Sequence, residues 1–368
     1  MIVTIARILT GALFIFSGLV KAIDPRGLAY KMQEFFEAWA NAGFMPGLME
    51  SLGHYALTFS VIMITLEVIV GLALLLGWKK GWTTWILLLL IVFFTFLTSY
   101  VLFSGKIRAC GCFGDCIPIT PIQTFTKDII LLVLSLLLLI QRKHINPVVR
   151  SGIAGIIVLL GTLATLFLQW YVLRHLPLKD CLPYKEGNNI LELRKMPADA
   201  IPDKFSMSFI YEKNGEKKEF TAETLPDSSW NFVDRKQTLV EAGKNNIPAI
   251  NDFSLVTASG ADTTDALLSQ SGGYYILFVK ELSTLPKDFA RDKEIVYAAL
   301  SKKIPLVIVA SQREKVQERF GATVPILTCD ATALKTAARA DVVLYKMNGP
   351  VVQEKWGWAD FDDVIIAQ

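Results

Sequence analysis

The sequence predicts an α-helical membrane bundle followed by a soluble α/β domain, and three observations lead to this fold class. The chain of 368 residues contains 52% hydrophobic but only 19% charged residues. Its mean hydropathy of +0.42 is too high for an ordinary soluble protein. Up to Val172 the apolar residues form blocks of about 20, the length of a spanning helix. From Arg174 onward the sequence is mixed and charged, as in a globular domain.

Five blocks are long enough to cross about 30 Å of hydrocarbon at roughly 1.5 Å per residue. They run from Ile2 to Val20, Tyr55 to Leu76, Trp82 to Phe103, Pro121 to Gln141 and Ser151 to Val172. Lys127 and Asp128 interrupt the fourth block, but Thr120 and Pro121 supply an N-cap and a first-turn signal. The first block is not followed by a small-residue cleavage site, so we expect it to be retained as a helix.

These blocks divide the chain into four predicted parts. Residues 1–145 form a four-helix membrane domain, and residues 146–175 contain a fifth transmembrane helix. Residues 176–249 form a β-rich linker region, and residues 250–368 form the α/β domain. In this last part strands alternate with helices, which is typical of a layered fold with a partly parallel sheet.

Basic residues are concentrated in two short turns between the blocks. Lys79 and Lys80 lie between the second and third blocks, and Arg142, Lys143 and Arg150 lie between the fourth and fifth. Because cytoplasmic loops are enriched in lysine and arginine, we expect both turns inside the cell. The N-terminus is then cytoplasmic and the soluble part periplasmic, outside the inner membrane of a bacterium. All five cysteines would face that oxidising compartment.

The first outer loop, residues 24–54, carries an apolar stripe at helical spacing. The stripe consists of Leu28, Met32, Phe35, Phe36 and Trp39. It lies opposite a face with several charged residues, so an amphipathic helix at the membrane interface is expected. A helix packed against the soluble domain is the alternative.

Charged residues inside a membrane span are costly and usually paired. Arg7 and Glu67 are each about 13 to 15 residues from the outer ends of antiparallel helices, which places them at similar depth. We therefore predict that they form an ion pair, either as a structural contact or as a proton relay. Lys21, Lys127 and Asp128 lie nearer the outer face. The two lysines would either lower the pKa of nearby thiols or extend to the interface, and Lys127 and Asp128 should contact different neighbours.

Cys110, Cys112 and Cys116 lie within seven residues, in the loop between the third and fourth blocks. The glycines between them favour an open loop, and a disulfide across one intervening residue is strained and easily exchanged. Cys110 and Cys112 are therefore a candidate redox pair, with Cys116 or Cys181 as a resolving thiol. A purely structural disulfide is the alternative. A zinc site fits poorly, because the C-x-C-x3-C spacing lacks a paired CxxC.

Three segments carry a resemblance to a known group: RILTGALFIFSGLVKAIDP, LEVIVGLALLLG, and CGCFGD followed by TPIQTFTKD. They resemble the DoxX and MauE group of bacterial redox-associated membrane proteins, over about residues 1–140. The resemblance implies a four-helix bundle with a Cys-x-Cys pair at its outer face. MauE members are implicated in methylamine utilisation, in maturing the disulfide-rich small subunit of methylamine dehydrogenase. The group's characteristic positions correspond here to Arg7, Lys21, Glu67, Cys110 and Cys112; Cys116 departs from the pattern.

The segment from residue 250 resembles a thioredoxin-like domain of the membrane-tethered type. A working thioredoxin needs a Cys-x-x-Cys after its first central strand, and this chain has KELSTLPKD there. The place of the cis-proline before the closing hairpin is taken by ARADVVLYK. We therefore expect a domain that is inactive as a thioredoxin and serves for docking. Cys329 is expected to be a buried packing residue rather than a reactive thiol.

These features predict a membrane thiol-disulfide redox protein that supports the maturation or disulfide handling of periplasmic client proteins. A membrane quinone is a candidate electron carrier on grounds of location alone. The alternative is a non-catalytic assembly factor or scaffold whose cysteines only staple the loop. A transporter is disfavoured because the spans show no internal repeat. The net charge of +3 and the lack of a phosphate-binding glycine loop argue against nucleic-acid or nucleotide binding.

Overall fold

The structure, a computed structural model, describes residues 1–107, 110–111, 113–117, 119–213, 215–241, 243–286, 289–321 and 323–366. Within these residues, a bundle of long apolar helices is followed by two β-sheets with short helices around them. The predicted fold class is therefore confirmed as a membrane helical bundle with a C-terminal α/β region.

The bundle contains seven helices in its described part. They are α1 (Ile2–Ala22), α2 (Pro25–Asn41), α3 (Pro46–His54), α4 (Ala56–Leu76), α5 (Lys80–Ser104), α6 (Pro121–Ile140) and α7 (Ser151–Arg174). Of these, α1, α4, α5, α6 and α7 are long and apolar enough to cross a membrane. They confirm the five predicted spans and define a multi-pass membrane protein.

Local signals in the sequence explain where the helices around the cysteine loop begin and end. The N-terminus of α6 has a capping box, in which the Thr120 side chain accepts from the Gln123 N–H and the Gln123 side chain accepts from the Thr120 N–H. Helix α5 stops at Gly105, whose φ of +63° suits glycine. Helix α2 starts at Pro25, with the Asp24 side chain accepting from the Gly27 N–H.

Helices α1 and α4 approach each other closely because glycines line their contact. A Cβ added to Gly71 would lie 2.8 Å from the Gly11 carbonyl oxygen, and one added to Gly18 would lie 2.7 Å from the Val68 side chain. Small residues allow this backbone approach between membrane helices. The contacts also fix the register, with Gly18 beside Val68 and Gly11 beside Leu75.

Helix α2 lies across the end of the bundle that carries the cysteine loop, with its apolar stripe facing the bundle. This end is named the outer end after its expected orientation, and the opposite end is named the inner end. Met32 and Phe35 are buried, and the Trp39 ring lies 5.9 Å from that of Phe96 on α5. The alternative prediction, a helix packed against the soluble domain, is also met. The soluble domain contacts the polar face of α2, through Tyr30 and Gln33.

The region after α7 begins with a short helix, α8 (Ile190–Leu193), and a three-stranded antiparallel sheet. Its strands are β1 (Lys204–Lys213), β2 (Glu216–Thr221) and β3 (Asn231–Glu241), in the order β2-β1-β3. Many residues on both faces of this sheet are exposed. It therefore extends from the α/β core instead of forming part of it.

The second sheet forms the core of the C-terminal region. Its elements are α9 (Thr264–Leu268), β4 (Gly273–Val279), α10 (Arg291–Ser301), β5 (Leu306–Ala310), α11 (Arg313–Phe320), β6 (Ile326–Thr328), α12 (Ala331–Ala337), β7 (Val342–Asn348) and β8 (Val351–Gly357). The strand order is β6-β5-β4-β7-β8, with β4 to β6 parallel and β7 antiparallel to both neighbours. Strand β4 is buried on both faces, which explains its unbroken apolar sequence YYILFV. The predicted partly parallel sheet is confirmed.

We expect Gly71→Ala to destabilise the bundle, because the new methyl group meets the backbone of α1. Overpacking of this kind typically costs about 1–3 kcal/mol. The control is Gly152→Ala on α7, where an added Cβ has no neighbour within 4 Å. Thermal unfolding in detergent should give a lower Tm for Gly71→Ala and an unchanged or higher Tm for Gly152→Ala. Equal values would contradict the close α1–α4 contact.

Candidate functional site

The cysteine loop connects α5 to α6 and lies against the outer end of α1 and the side of α2. Cys110 is buried, with 8% of its surface exposed, and packs in the same apolar cluster as Phe35 and Val101. Gly111 has a φ of +70°, and a Cβ there would lie 2.9 Å from the Lys31 side chain. Glycine is therefore required between the first two cysteines by backbone conformation and by space. Cys112 lies outside the described residues.

Cys116 and Cys181 form a disulfide with a Cα–Cα distance of 5.0 Å. The bond joins the cysteine loop to the segment that follows α7, 65 residues further along the chain. Neither residue is therefore available as a resolving thiol while this bond is intact. A structural disulfide, which was the alternative interpretation of these cysteines, is therefore present. It uses neither Cys110 nor Cys112.

A cavity of about 220 Å³ lies directly beneath the loop. Its lining includes Lys31, Thr98, Cys110, Phe113, Asp115 and Thr124. The volume has room for several water molecules, and the polar and charged groups give them partners. Cys110 thus borders a polar space at the end of an apolar bundle.

Asp128 lies beside this cavity on α6 and is almost completely buried, with 1% of its side chain exposed. Its Oδ2 is 3.0 Å from the Thr98 hydroxyl, and its Oδ1 is 2.8 Å from Lys127 Nζ. Lys127 also lies over the Phe113 ring, 4.7 Å from the centroid. The two adjacent residues do contact different neighbours, as expected, but the long lysine side chain additionally folds back onto the carboxylate.

The predicted Arg7–Glu67 ion pair is wrong, because Glu67 pairs with Lys21 instead. Lys21 and Glu67 are both only 2% exposed, so Lys21 does not extend to the interface. Arg7 donates through Nη1 to the Asn146 carbonyl oxygen at 2.7 Å, near the inner end of the bundle. The prediction assumed that the C-terminus of α1 and the N-terminus of α4 lie at the same depth in the membrane.

The register of the two helices explains the error. Because Gly18 lies beside Val68, Glu67 is level with the last turn of α1 and not with Arg7. Helix α4 extends beyond α1 at the outer end, where the Ser60 hydroxyl donates to the Pro25 carbonyl oxygen of α2 at 2.7 Å. The depth of a residue therefore could not be counted from helix ends alone.

The soluble domain is docked onto the cysteine loop through a buried arginine. Arg339, 7% exposed, contacts Asp115 of the loop and lies 3.3 Å from the carboxylate of Asp24, at the start of α2. Burial raises the pKa of Asp24, although the positive charge of Arg339 opposes this effect. Arg339 compensates the charge of both carboxylates. The contact matters most for Asp24, whose side chain is 17% exposed against 32% for Asp115, because a buried and unpaired charge is strongly unfavourable.

A second set of contacts continues the interface along α2. Arg26 lies 2.8 Å from Asp341, Lys280 lies 3.5 Å from the same carboxylate, and Lys280 donates to the Tyr30 hydroxyl at 2.9 Å. Burial alone would raise the pKa of Tyr30, but the charges of Lys280, Arg26 and Arg339 outweigh it and lower that pKa. Lys280 follows β4 and Asp341 precedes β7, so one corner of the sheet faces the membrane domain.

A third contact holds the soluble domain to the end of α7. His175 pairs with Asp360, and its ring stacks on Tyr171 at 4.0 Å. Lys355 lies 2.6 Å from Asp180, next to the disulfide-bonded Cys181. The membrane and soluble parts are therefore joined by ion pairs on two sides.

The residues of this interface were missed by sequence reasoning. Asp24, Tyr30, Asp115, Arg339 and Asp341 occur in stretches that resemble ordinary solvent-exposed loops and helix faces. The aspartate that follows the first span was the strongest available signal, because it directly precedes a proline and therefore predicts an N-cap. Its partner more than 300 residues away could not be predicted from one sequence.

Cys329 lies in the core of the soluble domain, 3% exposed, among the residues that pack beneath the sheet. Burial, followed by the nearby charge of Asp330, raises the pKa of its thiol to about 12. A thiol with this pKa is almost entirely protonated at neutral pH and is a poor nucleophile. This agrees with the predicted role as a packing residue.

Fold and site together define a multi-pass membrane protein whose cysteine loop, at one end of the bundle, is covered by its own soluble domain. Residues 1–141 match the family model described as methylamine utilisation protein MauE. The matched segment contains the first four spanning helices and the cysteine loop, which confirms the resemblance to MauE. The relation to DoxX proteins stays a prediction.

Two other comparisons each cover less than half of the chain. Residues 205–242, which contain β1 to β3 apart from the first residue of β1, match a family described only as a domain of unknown function. The chain is 31% identical over 166 residues to Protein TlpB of Flavobacterium psychrophilum. The alignment covers 44% of this chain and 42% of that protein, so the chain spans less than half the length of this relative. No solved structure matches the chain.

We expect Arg339→Ala to loosen the docked soluble domain, because Asp24 and Asp115 lose their shared cation. Removing one partner of a buried ion pair typically costs about 3–5 kcal/mol. Hydrogen-deuterium exchange of the full-length protein in detergent should become faster in α2 and around Asp115.

The matched control is Arg194→Ala, which removes an ion pair to Asp265, a residue whose side chain is 79% exposed. Exposed pairs contribute about 0–1 kcal/mol, so exchange should stay as in the wild type. Unchanged exchange in Arg339→Ala would contradict the role assigned to this contact.

We also expect Cys116→Ser, Cys181→Ser and the double variant to be destabilised equally, because each removes the same bond. A disulfide that closes a loop of this length contributes about 4 kcal/mol in the chain-entropy account. The measurement is thermal unfolding of the three variants in detergent. A double variant clearly less stable than either single one would mean that the two sulfurs also stabilise the protein separately.

Proposed function

We propose that the protein is a thiol-disulfide exchange protein of the bacterial inner membrane, with Cys110 and Cys112 as the exchanging pair. One observation carries the proposal: Cys116 and Cys181 are bonded to each other, whereas Cys110 borders a polar cavity in the same loop. The Cys116–Cys181 bond thus holds the loop in place, and we assign disulfide exchange to Cys110 and Cys112. The MauE match over the same residues supports this assignment.

The exchange step conserves atoms and electrons. A thiolate of the client attacks the Cys110–Cys112 disulfide and forms a mixed disulfide, and the second client thiolate then displaces the loop sulfur. The client gains a disulfide, and the two loop cysteines become thiols. The C-x-C ring favours this direction because it is strained.

Reoxidation of the loop requires an acceptor for two electrons and two protons. We propose a membrane quinone, which would be reduced to the quinol while the Cys110–Cys112 disulfide re-forms. An apolar cavity of about 570 Å³, lined in part by Phe35, Phe93 and Leu97, opens among α2, α4 and α5 near the loop. An apolar carrier would approach the thiols through this cavity.

The orientation that suits this chemistry has the N-terminus in the cytoplasm and both the loop and the soluble domain in the periplasm. The basic turns at Lys79 and at Arg142 lie at the opposite end of the bundle from the loop, in agreement with the positive-inside rule. In this orientation the clients would be exported proteins that have unpaired cysteines. A disulfide-rich protein of methylamine utilisation is the specific client that the family name suggests.

For the soluble domain we propose a thioredoxin-like origin and a non-catalytic docking role. Two parallel strands, β4 and β5, lie beside the antiparallel β7 and β8, as in the thioredoxin core. The corner after β4, where a thioredoxin has its cysteines, carries Lys280 and contacts Tyr30 of the membrane domain. The domain thus uses this corner to cover the cysteine loop.

The second candidate function is a non-catalytic assembly factor. The contacts of Arg339 with Asp24 and Asp115 favour it, because the docked domain restricts access to the loop. In that case the cysteines would only stabilise the outer end of the bundle.

The two functions predict different behaviour of cysteine variants in lipid nanodiscs. With a short-chain quinone as oxidant and a fluorescent dithiol peptide as probe, the full-length protein should oxidise the peptide. Cys110→Ser and Cys112→Ser should abolish this activity, because each removes one half of the exchanging pair. Cys329→Ser, the control, should retain it.

The redox state of the pair in growing cells gives an independent check. Thiol trapping should find Cys110 and Cys112 in both oxidised and reduced forms, since an exchanging pair cycles between them. Full activity of the Cys112→Ser variant, or a pair that is permanently bridged, would favour the assembly factor and end the exchange proposal.

A further inference from the structure

Asp128 is a buried carboxylate that the proposed exchange does not yet use. It lies one helical turn below Thr124, and both Thr124 and Thr98, its hydrogen-bond partner, line the cavity beneath the cysteine loop. Its side chain is 1% exposed. The carboxylate is thus placed between the apolar bundle and the space that Cys110 borders.

Thr98 can satisfy Asp128 in either protonation state. The Thr98 hydroxyl oxygen lies 3.0 Å from Asp128 Oδ2 and 3.1 Å from the carbonyl oxygens of Phe94 and Thr95. A hydroxyl has one proton to donate but can also accept. It donates to Asp128 when the carboxylate is charged. When Asp128 is protonated, the acid donates to Thr98, and the hydroxyl turns to a backbone carbonyl.

The cavity connects this pair to Cys110. Its volume of about 220 Å³ has room for several water molecules, which can bridge the Thr98 hydroxyl and the sulfur. Among the described residues, the charged groups on the cavity lining are Lys31 from α2 and Asp115 from the loop. Asp128 itself faces Lys127, and the Lys21–Glu67 pair lies deeper, with Lys21 over the Phe94 ring.

We propose that Asp128, acting through Thr98, is a positioning residue that receives a proton from the thiol at Cys110 and returns it during disulfide exchange. The inference rests on the proposed exchange function and adds the path of the proton. Two observations support it. The Asp128 carboxylate is buried, and its hydrogen-bond partner, the Thr98 hydroxyl, can either donate to it or accept from it. Lys127 Nζ, 2.8 Å from Oδ1, is the positive charge that faces this carboxylate.

The proton balance closes within one cycle. When the loop dithiol is reoxidised, the Cys110 thiol releases its proton through cavity water and Thr98 to the Asp128 carboxylate, and the thiolate supplies the electrons. The quinone takes up two electrons from the loop, one proton from the Cys112 thiol and one proton from solvent. When a client reduces the loop again, Asp128 returns its proton to the Cys110 sulfur as this leaves as a thiolate. Of the two protons that the client loses, one goes to the Cys112 sulfur and one to solvent, so Asp128 ends each cycle in its starting state.

The test compares variants of the full-length protein in nanodiscs. After mild reduction, the rate of Cys110 alkylation by iodoacetamide is measured by peptide mass spectrometry between pH 5 and pH 9. Quinone-dependent oxidation of the dithiol peptide is measured in parallel. Asp128→Asn should shift the pH profile of alkylation and slow peptide oxidation by about a hundredfold, the lower range for a lost acid-base group.

Thr98 gives a matched pair of variants that alter no charge. Thr98→Val removes the hydroxyl at nearly constant volume and should behave like Asp128→Asn, whereas Thr98→Ser retains the hydroxyl and should behave like the wild type. Ser135→Ala is the control for loss of a buried hydroxyl on α6 away from the cavity, since its Oγ donates only to the Leu132 carbonyl oxygen. It should alter neither measurement.

An unchanged pH profile in Asp128→Asn, or wild-type rates in Thr98→Val, would overturn the proposal. If Asp128→Asn does not fold, the Thr98 pair decides the question alone. The outcome is separable from that of the exchange function. If Cys110→Ser is inactive while Asp128→Asn and Thr98→Val oxidise the peptide normally, only the proposed proton path is wrong. If Cys110→Ser is still active, the exchange function itself is wrong.

Discussion

The arrangement of the whole molecule depends on charges that are buried between its two parts. Arg339 of the soluble domain lies between Asp24 and Asp115 of the membrane domain, and removing the arginine leaves both carboxylates without their shared cation. The bond between Cys116 and Cys181 closes the same region covalently. The ion pairs fix the direction in which the soluble domain faces, and the disulfide limits how far it can separate.

This constraint gives the cysteine loop its surroundings. The loop is covered from outside by the soluble domain, supported on one side by α2, and bordered below by the cavity with Thr98 and Asp128. The deeper Lys21–Glu67 pair holds α1 and α4 together just beneath. A thiol in such a place is shielded from bulk solvent yet close to polar groups. Its reactivity therefore depends on the side chains around the cavity and not on bulk solvent.

The elements that follow from local rules could be predicted from the sequence. The five spans follow from length and hydropathy, and the start of α6 follows from Thr120 and Pro121. The burial of Cys329 is in line with the apolar strands around it. In each case the determining residues are neighbours along the chain.

What depends on the relative placement of helices could not be predicted. Arg7 and Glu67 had equal counts from the helix ends, but the glycine contacts shift α4 outward, so that Glu67 meets Lys21. The Arg339 contacts join segments that are separated by more than 200 residues, and one sequence carries no signal for such a pairing.

The most direct test of the central claim, that the cysteine loop exchanges disulfides with another protein, is to trap the exchange intermediate. In Cys112→Ser cells the exchange can run only in reverse, with the Cys110 thiolate attacking a disulfide of the client. No neighbouring cysteine is then present to displace the client sulfur, so a mixed disulfide should accumulate. Mass spectrometry of the purified adduct should find Cys110 linked to a cysteine of an exported protein. If Cys110 carries no protein in this variant, while the same cells yield a correctly folded membrane protein, the loop does not exchange disulfides and the account is wrong.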